Sequence, residues 1–440
     1  MGARWYNTVW RWHFYAGLLC MPFILWLATT GTLYLWKPQI EALIERPYDG
    51  LAADGPRASA AAQVAAAVAA VPGSTLRRFQ LPEDASQSTR ITVTSAGVDR
   101  RVYVDPYRLR VLHIEREDSR LMRTVFLLHG TLLAGAPGSY LVEIAACWAV
   151  VMLLTGLFLW WPRGGAGLAG TLYPRRRRGK RVFWRDLHAV SGIWVAAAAL
   201  VLISTGLPWA KFWGSYFLEV RKVTGTLDGP PDWTIGGKKV VLDEHAGHGG
   251  MASMPPPVPS GPAIDRVVAR TYPLGLAAPV MILPPAAPGA PWSVLAQPAN
   301  RPLAASLTID GDSGAVTSRR DFAQRHWVDR VVGYGIALHE GALFGLVNQL
   351  LGTLTALLLA TLSVSGAVMW WRRRPSGVLG APPARSAPRA GALLLGTIAT
   401  LAVAMPLFGL TLILALLVEG FVLRGWPAAR KWLGLSSIAA

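Results

Sequence analysis

The chain is poor in charge, in acid and in cysteine. Only 15% of its 440 residues are Asp, Glu, Lys or Arg, against about 25% in soluble domains. With 52% hydrophobic residues and 19 Trp, this excludes an ordinary soluble protein of such length and points to a membrane protein. Two cysteines, Cys20 and Cys147, exclude a disulfide framework. Cys20 falls near the inner end of its apolar run and Cys147 in the outer part of its own, so both are expected as free buried thiols. No P-loop, G-x-S-x-G, H-E-x-x-H or nucleophile triad is present. No cytoplasmic segment is large enough for a nucleotide or flavin domain. The first apolar run is longer than the ~7–15 residues of a signal h-region and no A-x-A site follows it, so it is expected to stay as a span.

What the chain has is long apolar runs, at about 14–36, 140–161, 189–210, 346–371 and 393–423. Each reaches the ~20 residues that cross a bilayer. The last carries Pro406 and is expected as one kinked helix or a hairpin. Basic residues outnumber acidic ones 43 to 25, for a net charge of +18. The excess is confined: segments 1–12, 162–185 and 372–392 hold two, eight and five Lys or Arg and no acid. Segments 37–128 and 209–338 are nearly balanced, with 13 basic and 11 acidic residues and with 12 and 10. Such asymmetry in short segments beside spans is the positive-inside pattern, not a nucleic-acid patch. It places the N-terminus and the loop RRRRGKR at 175–181 in the cytoplasm and both long segments outside.

The chain reads as a tandem duplication. HFYAGLLCMPFILWLATTG (13–31) lies over HAVSGIWVAAAALVLISTG (188–206) without a gap: His13 meets His188, Gly17 meets Gly192, and Thr30-Gly31 meets Thr205-Gly206. HGTLLAG from His129 lies over HEGALFG from His339, and further on Thr155-Gly156 meets Ser365-Gly366 and Trp160-Trp161 meets Trp370-Trp371. Each half is span, outer segment, span, so both halves share one orientation about an axis along the membrane normal. The outer segments also match. The first has an Ala-rich helix at 58–70 and strands at 90–95 and 101–114, turning at Asp105-Pro106. The second has a short helix near 263–271, strands near 278–283 and 292–297, and 307–318 turning at Asp310-Gly311. The stretch 244–262 is a loop by composition.

The expected fold is a mainly α-helical polytopic membrane protein. A duplicated four-helix core carries an extra C-terminal helix or hairpin and two small α+β outer modules. In chain order the parts are a first span (1–36), an outer module (37–128), an outer histidine segment with the second span (129–161) and a basic loop (162–185). The third span (186–210), the second module (211–335), a second histidine segment with the fourth span (336–371), a linker (372–392) and a C-terminal membrane segment with its tail (393–440) follow.

Under the two-fold, His13 can face His188 on the inner side and His129 can face His339 on the outer side. Two imidazoles facing across a bundle suit axial ligation of haem iron. Counting from Trp161 back to His129 gives ~48 Å of straight helix, so Gly135-Ala-Pro-Gly138 is expected to break it. Gly17 and Gly192, one turn from their histidines, and Gly31 and Gly206, five turns on, share that face and leave a strip where a flat macrocycle fits. The bland readings are interfacial histidines, glycines at close helix contacts and tryptophan belts at the membrane surface. They do not explain the matched pairing. His113 and His326 are read as surface residues. His245 and His248, with Met251 and Met254, lie in the Gly/Pro-rich loop.

WHFYAGLLCMPFILWLATTGTLYLW, LLHGTLLAG, DLHAVSGIW and LHEGALFG resemble the PepSY-associated transmembrane family over about residues 5–375, and YVDPYRLRVL resembles a PepSY module. The resemblance implies a bacterial inner-membrane protein linked to iron uptake, and in some members a haem-containing reductase of ferric siderophores in the periplasm. Its membrane histidines fall on His13, His129, His188 and His339. Other members carry a fused flavin reductase domain, which this chain lacks, so no bound flavin is expected. The reading is a conduit with two b haems. Electrons enter at His13–His188 from a quinol or a separate cytoplasmic reductase, pass to His129–His339, and reach a ferric siderophore or chelate between the two modules. The partners are the bilayer, the chelate and the donor, without nucleic acid. One rival is an iron or siderophore permease; Glu143, Glu340 and Glu419, the carboxylates in or beside the spans, form no matched pair for it. The other is a regulatory or scaffolding protein built on the outer modules.

Overall fold

The computed structural model describes residues 3–162, 167–229, 231, 233–239, 261–383 and 391–435. His245, His248, Met251 and Met254 lie outside them. Among the described residues five helices are long and apolar enough to cross a membrane, and the protein is a multi-pass membrane protein. Four of them form a ring. Helix α1 (Ala3–Leu35) and the 9-residue α2 (Lys37–Glu45) open the chain. Helix α3 (Ala60–Ala70) follows, then α4 (Leu121–Thr131) and α5 (Gly135–Trp160). Next come α6 (Lys180–Gly206), α7 (Lys211–Val223), α8 (Pro262–Thr271), α9 (Trp327–His339) and α10 (Leu346–Arg373). Helix α1 packs on α5 and α10, and α6 packs on the same two. Helices α1 and α6 therefore stand at opposite corners. Many buried positions of the ring are small: Ala16, Cys20 and Ala28 of α1, Ala145 and Ala149 of α5, Ala196 and Ala199 of α6. Small side chains let helix backbones approach where lipid offers no hydrophobic drive for association.

Cys20 and Cys147 are both buried and free. The Cys20 thiol donates to the Ala145 carbonyl at 3.4 Å, so it lies at the level of the segment that carries Cys147 and not at the opposite end of the bundle. Helix α1 starts well before its apolar stretch, which carries Cys20 deeper than its position in the run suggests.

The last apolar stretch is a hairpin. Helix α11 (Ala392–Ala404) ends at Met405, which leaves helical geometry, and α12 (Pro406–Leu417) returns. A Cβ on Gly409 would stand 2.9 Å from that of Ala402. Such proximity seven residues apart requires chain reversal, because a continuous helix would hold them ~10 Å apart. Proline opens α12 where its missing N–H costs nothing. The tip is tied to α7, with the Trp213 indole donating to Ala404 O at 2.9 Å and the Tyr216 hydroxyl to Val403 O at 3.2 Å. The chain ends in α13 (Pro427–Leu433). It docks beside the start of α1, where the Tyr15 hydroxyl donates to Leu433 O at 2.7 Å and Arg11 to Gly434 O at 3.0 Å.

On the other side lies one antiparallel sheet of eight strands. Strands β1 (Thr75–Leu81), β2 (Thr89–Ser95), β3 (Val98–Val104) and β4 (Val111–Arg116) come from the first long segment. A small ribbon, β5 (Thr234–Ile235) and β6 (Lys238–Lys239), stands apart. Strands β7 (Val280–Leu283), β8 (Trp292–Ala296), β9 (Ala305–Ile309) and β10 (Val316–Asp321) come from the second segment. The order is β10-β9-β8-β7-β1-β2-β3-β4. The join is β1 on β7, with Phe79 opposite Ile282 and Leu81 opposite Val280. The two segments thus fuse edge to edge, which removes two exposed strand edges and leaves no cleft between separate lobes. Strand alternation sends Phe79, Ile91, Val93, Val102, Ile282 and Val294 onto one face, where α3 and α8 cover them.

The opposite face of the first half is ionic. Glu45, at the end of α2, is 8% exposed. It receives Arg90 at 2.7 Å, Arg120 at 2.6 Å and the Tyr103 hydroxyl at 2.9 Å, and Arg101 lies at 3.5 Å. This cluster ties the top of α1–α2 to the sheet and to α4. Helices α4 and α9 lead from the sheet down to the ring, each ending on a histidine segment.

Candidate functional site

Four histidines form two pairs on the bundle axis. His13 of α1 faces His188 of α6, with ring centroids 6.2 Å apart and planes at 81°. His129 of α4 faces His339 of α9 at 6.3 Å and 72°. Along α1, eighteen residues separate His13 from Gly31, against which His129 packs, so the pairs stand ~27 Å apart along the axis. One is at the basic-loop side and the other at the sheet side.

Each imidazole is held in the same way. His13 Nδ1 lies 3.0 Å from Met152 O and 3.2 Å from Thr155 Oγ1. His188 Nδ1 lies 3.0 Å from Leu362 O and 3.1 Å from Ser365 Oγ. Thr30 Oγ1 meets His129 Nδ1 at 3.0 Å, and Thr205 Oγ1 meets His339 Nδ1 at 3.1 Å. All four hydroxyls already donate to the carbonyl one turn back on their own helix: Thr30 to Trp26, Thr155 to Val151, Thr205 to Val201 and Ser365 to Thr361. Each hydroxyl oxygen is therefore left as an acceptor, and Nδ1 must carry the proton. The neutral tautomer so fixed leaves Nε2 with its lone pair free, the form that binds a metal. No Nε2 of the four has a hydrogen-bond partner among the described residues.

The glycine after each hydroxyl makes room for the ring. A Cβ on Gly31, Gly156 or Gly206 would stand 3.1 Å from the Cε1 of His129, His13 or His339, and one on Gly366 would stand 3.4 Å from His188. Gly17 and Gly192 are placed differently. A Cβ there would meet Met152 and Leu362 side chains at 3.8 and 3.7 Å, ordinary packing distances. The eight residues expected from sequence thus fall into three groups: four facing histidines, two glycines backing the sheet-side rings, and two at helix contacts beside the loop-side pair. Thr30, Thr155, Thr205, Ser365, Gly156 and Gly366 complete the site. Their signal was a Thr-Gly or Ser-Gly dipeptide recurring four times, which the alignment of the halves contained without showing that each dipeptide cradles a histidine.

A break follows His129 as expected, but it falls at Leu132–Ala134, and Gly135-Ala-Pro-Gly138 already opens α5. Helix α4 closes on Leu132 and Leu133, whose φ values are +51° and +58°, and Gly135 follows at +61°. At Gly138 a Cβ would stand 1.8 Å from Thr131 O, so only glycine fits. Glu143 is fully buried and accepts from the backbone N–H groups of Phe212 and Trp213 at 2.9 and 3.1 Å. Its charge caps the N-terminus of α7. The lesser histidines also have structural roles. His326 caps α9 by accepting from Val328 N at 3.3 Å. His113 stacks on Tyr48 at 4.7 Å and is not a bare surface residue.

The donor set fits a haem. Among the described residues no three His, Cys, Asp or Glu side chains gather as a bare metal ion would require. A porphyrin supplies four nitrogens itself and needs two axial donors. With a metal–nitrogen bond of about 2.0 Å and ~1.2 Å from nitrogen to ring centre, two imidazoles on one iron put their centroids ~6.4 Å apart. The observed 6.2 and 6.3 Å match.

The hydroxyls give a test. Thr30→Val keeps the shape and removes the acceptor from His129 Nδ1. Haem affinity of the apoprotein, measured by titration, is expected to fall ~10-fold, the lower end of outer-shell effects. Thr30→Ser is expected to retain it, and equal affinities for Thr30→Val and the parent would contradict the role of the hydroxyl.

The sequence profile of a family described as the PepSY-associated TM region matches residues 10–373, a span that contains all four histidines. No curated protein matches the chain.

Proposed function

The chain belongs to the PepSY-associated transmembrane family, and on that premise we propose that it is a haem-bearing electron-transfer protein of the bacterial inner membrane. It reduces ferric siderophores or related ferric chelates in the periplasm. One observation carries the reading: two imidazole pairs, each at bis-axial spacing, with every Nδ1 fixed as a donor. We take the matched cradles of His13 and His188, and of His129 and His339, as the trace of a tandem duplication. The two halves of the sheet would then be paired PepSY-like modules.

His13 and His188 would hold one b haem, and His129 and His339 a second. Each haem, when bound, would supply a one-electron carrier. The chain's own residues orient the Nε2 atoms, back each ring with a glycine, set the Trp209 ring 5.4 Å from that of His339, and bring the second pair out beneath the sheet. The basic loops beside the first pair support a cytoplasmic position for it, within reach of a quinol or a cytoplasmic reductase as donor. One electron converts Fe(III) to Fe(II), which hard oxygen donors hold far more weakly, and the metal leaves the chelator. Since the sheet is continuous, the chelate is expected at the mouth above His129 and His339, between sheet and bundle, and not between two lobes. Against the permease reading, the buried carboxylates of the spans among the described residues, Glu143 and Asp186, are engaged in capping α7 and in pairing with Arg175 and Arg185.

The test is reoxidation. Protein reduced under nitrogen and mixed with ferric citrate is expected to lose its reduced visible bands while Fe(II) accumulates, one iron per electron, in a colorimetric trap. Reduced bands that persist against excess ferric citrate would rule out ferric chelates as acceptors.

A further inference from the structure

We propose that Trp209 and the β5–β6 ribbon form a clasp that holds the His339 ring against His129, acting on the sheet-side pair alone. The helices that carry these two rings pack on different members of the bundle. Helix α4 packs on α1 and α5, and α9 packs on α6. The ribbon spans the two. On one side Gly237, with φ at +80°, rests on α4. Its carbonyl accepts from Arg123 at 3.1 Å, and a Cβ there would stand 3.3 Å from Leu127 Cδ2 and 3.5 Å from Thr131 Cγ2. Leu127 and Thr131 flank His129 at two residues on either side. On the other side Trp233 and Ile235 are buried in one cluster with Leu218 of α7 and Ile336 of α9. Ile336 lies one turn before His339.

Trp209 is the point of contact. It ends the turn Leu207–Trp209 after α6, packs against that cluster and sets its ring 5.4 Å from the His339 ring, with planes at 73°. The ribbon fixes it from behind, where Gly236 N donates to Trp209 O at 2.8 Å. Two glycines admit the ribbon this closely. A Cβ on Gly214 would stand 3.1 Å from Ile235 Cγ1, and one on Gly236 would stand 3.0 Å from Lys211 Cδ. The offsets that align the histidines bring Tyr34 onto Trp209 and Phe126 onto Ile336. Tyr34 packs on Phe126, with centroids 5.9 Å apart. Where the first half has a Tyr–Phe pair, the second has a smaller Ile and a larger Trp, and the indole reaches the imidazole itself. An edge-to-face contact between rings is directional. The indole therefore restrains rotation of the His339 ring and keeps its plane at 72° to that of His129.

The clasp's part in ligation rests on the proposed function; its part in spacing α4 from α9 does not. Trp209→Leu and Trp209→Phe are compared in the His188→Ala background, where the sheet-side pair is the one left to hold haem. Haem titration of the apoprotein gives the affinity. The EPR spectrum of the ferric form gives the ring angle, because π donation from the two imidazoles separates the iron dxz and dyz orbitals according to that angle and so sets the largest g value. Trp209→Leu is expected to weaken the sheet-side haem ~10-fold, the lower end of outer-shell effects, and to shift or broaden the largest g value. Trp209→Phe is expected to restore both. In the His339→Ala background Trp209→Leu should leave the loop-side haem unchanged. Spacing is read without haem, from spin labels at Leu121→Cys and Val331→Cys, both exposed positions, in a chain with Cys20→Ala and Cys147→Ala. Trp209→Leu, and Arg123→Met, which removes the bond to Gly237, are expected to broaden that distance. The clasp is overturned by a Trp209→Leu variant equal to the parent in affinity and g value, by a Trp209→Phe variant as weak as Trp209→Leu, by equal haem loss at both pairs, or by an unchanged distance in both spacing variants. A colourless parent whose distance broadens in these variants overturns the haem reading and leaves the clasp standing.

Discussion

His339→Ala is expected to leave the protein with one haem instead of two, and His188→Ala is expected to do the same at the other end of the bundle. Each pair is built without help from the other, ~27 Å away along α1, so the losses should be independent. In each variant about half of the haem per chain should remain with its low-spin spectrum intact. The cradles extend the prediction to residues that never touch a metal. At Gly156 even a single added Cβ would stand 3.1 Å from His13 Cε1. Gly156→Leu drives a whole side chain into that space and should empty the loop-side pair as fully as His188→Ala. At Gly17 an added Cβ would meet only the Met152 side chain, at 3.8 Å, so Gly17→Leu should cost far less. Haem quantified as the pyridine haemochrome reads all four variants. Equal losses from Gly156→Leu and Gly17→Leu would contradict the cradle.

Glu45→Ala is expected to be the most destabilising single change outside the membrane, by about 3–5 kcal/mol, because it leaves Arg90, Arg101 and Arg120 buried without their shared anion. Glu41, 3.4 Å from Arg120 and more exposed, should matter much less. Burial alone would raise the Glu45 pKa, but the three guanidiniums and the Tyr103 hydroxyl outweigh it and hold the carboxyl below its ordinary range. Glu117 is likewise lowered, against its own burial, by Arg101, Arg78 and Arg120. Groups with lowered pKa values stabilise the fold above the ordinary carboxylate range and lose that contribution as pH falls through the lowered values. The outer sheet should therefore undock from α2 in acid, and the parent should lose more stability than Glu45→Ala between neutral and acidic pH. Thermal unfolding followed across that range checks both points. A parent and variant that converge at neutral pH would contradict the role given to Glu45.

Much of this was legible in the sequence because membranes impose simple rules. The apolar runs located the spans, and the offset of 175 residues alone brought His13 onto His188. That a break follows His129 could be read from Gly135 and Gly138, although it falls just before them, at Leu132–Ala134. Pro406 marked a discontinuity, but whether the chain kinked or reversed depended on Gly409 meeting Ala402, a contact that no local pattern encodes. The fusion of the two outer segments was also hidden. Strand β1, TLRRFQL, alternates poorly and carries two arginines, and its pairing with β7 joins residues some two hundred positions apart. The tie between Thr30 and His129 was invisible for a related reason. A Thr-Gly pair in a membrane helix ordinarily marks close packing, and only the fold shows that what packs there is an imidazole.

The most direct measurement is a reduced-minus-oxidised visible spectrum of the detergent-purified protein from cells well supplied with haem, with haem quantified per chain. Two imidazole pairs at bis-axial spacing should give a low-spin b-type spectrum and two haems per chain. A colourless protein would contradict the haem conduit and return the four cradled histidines to another role.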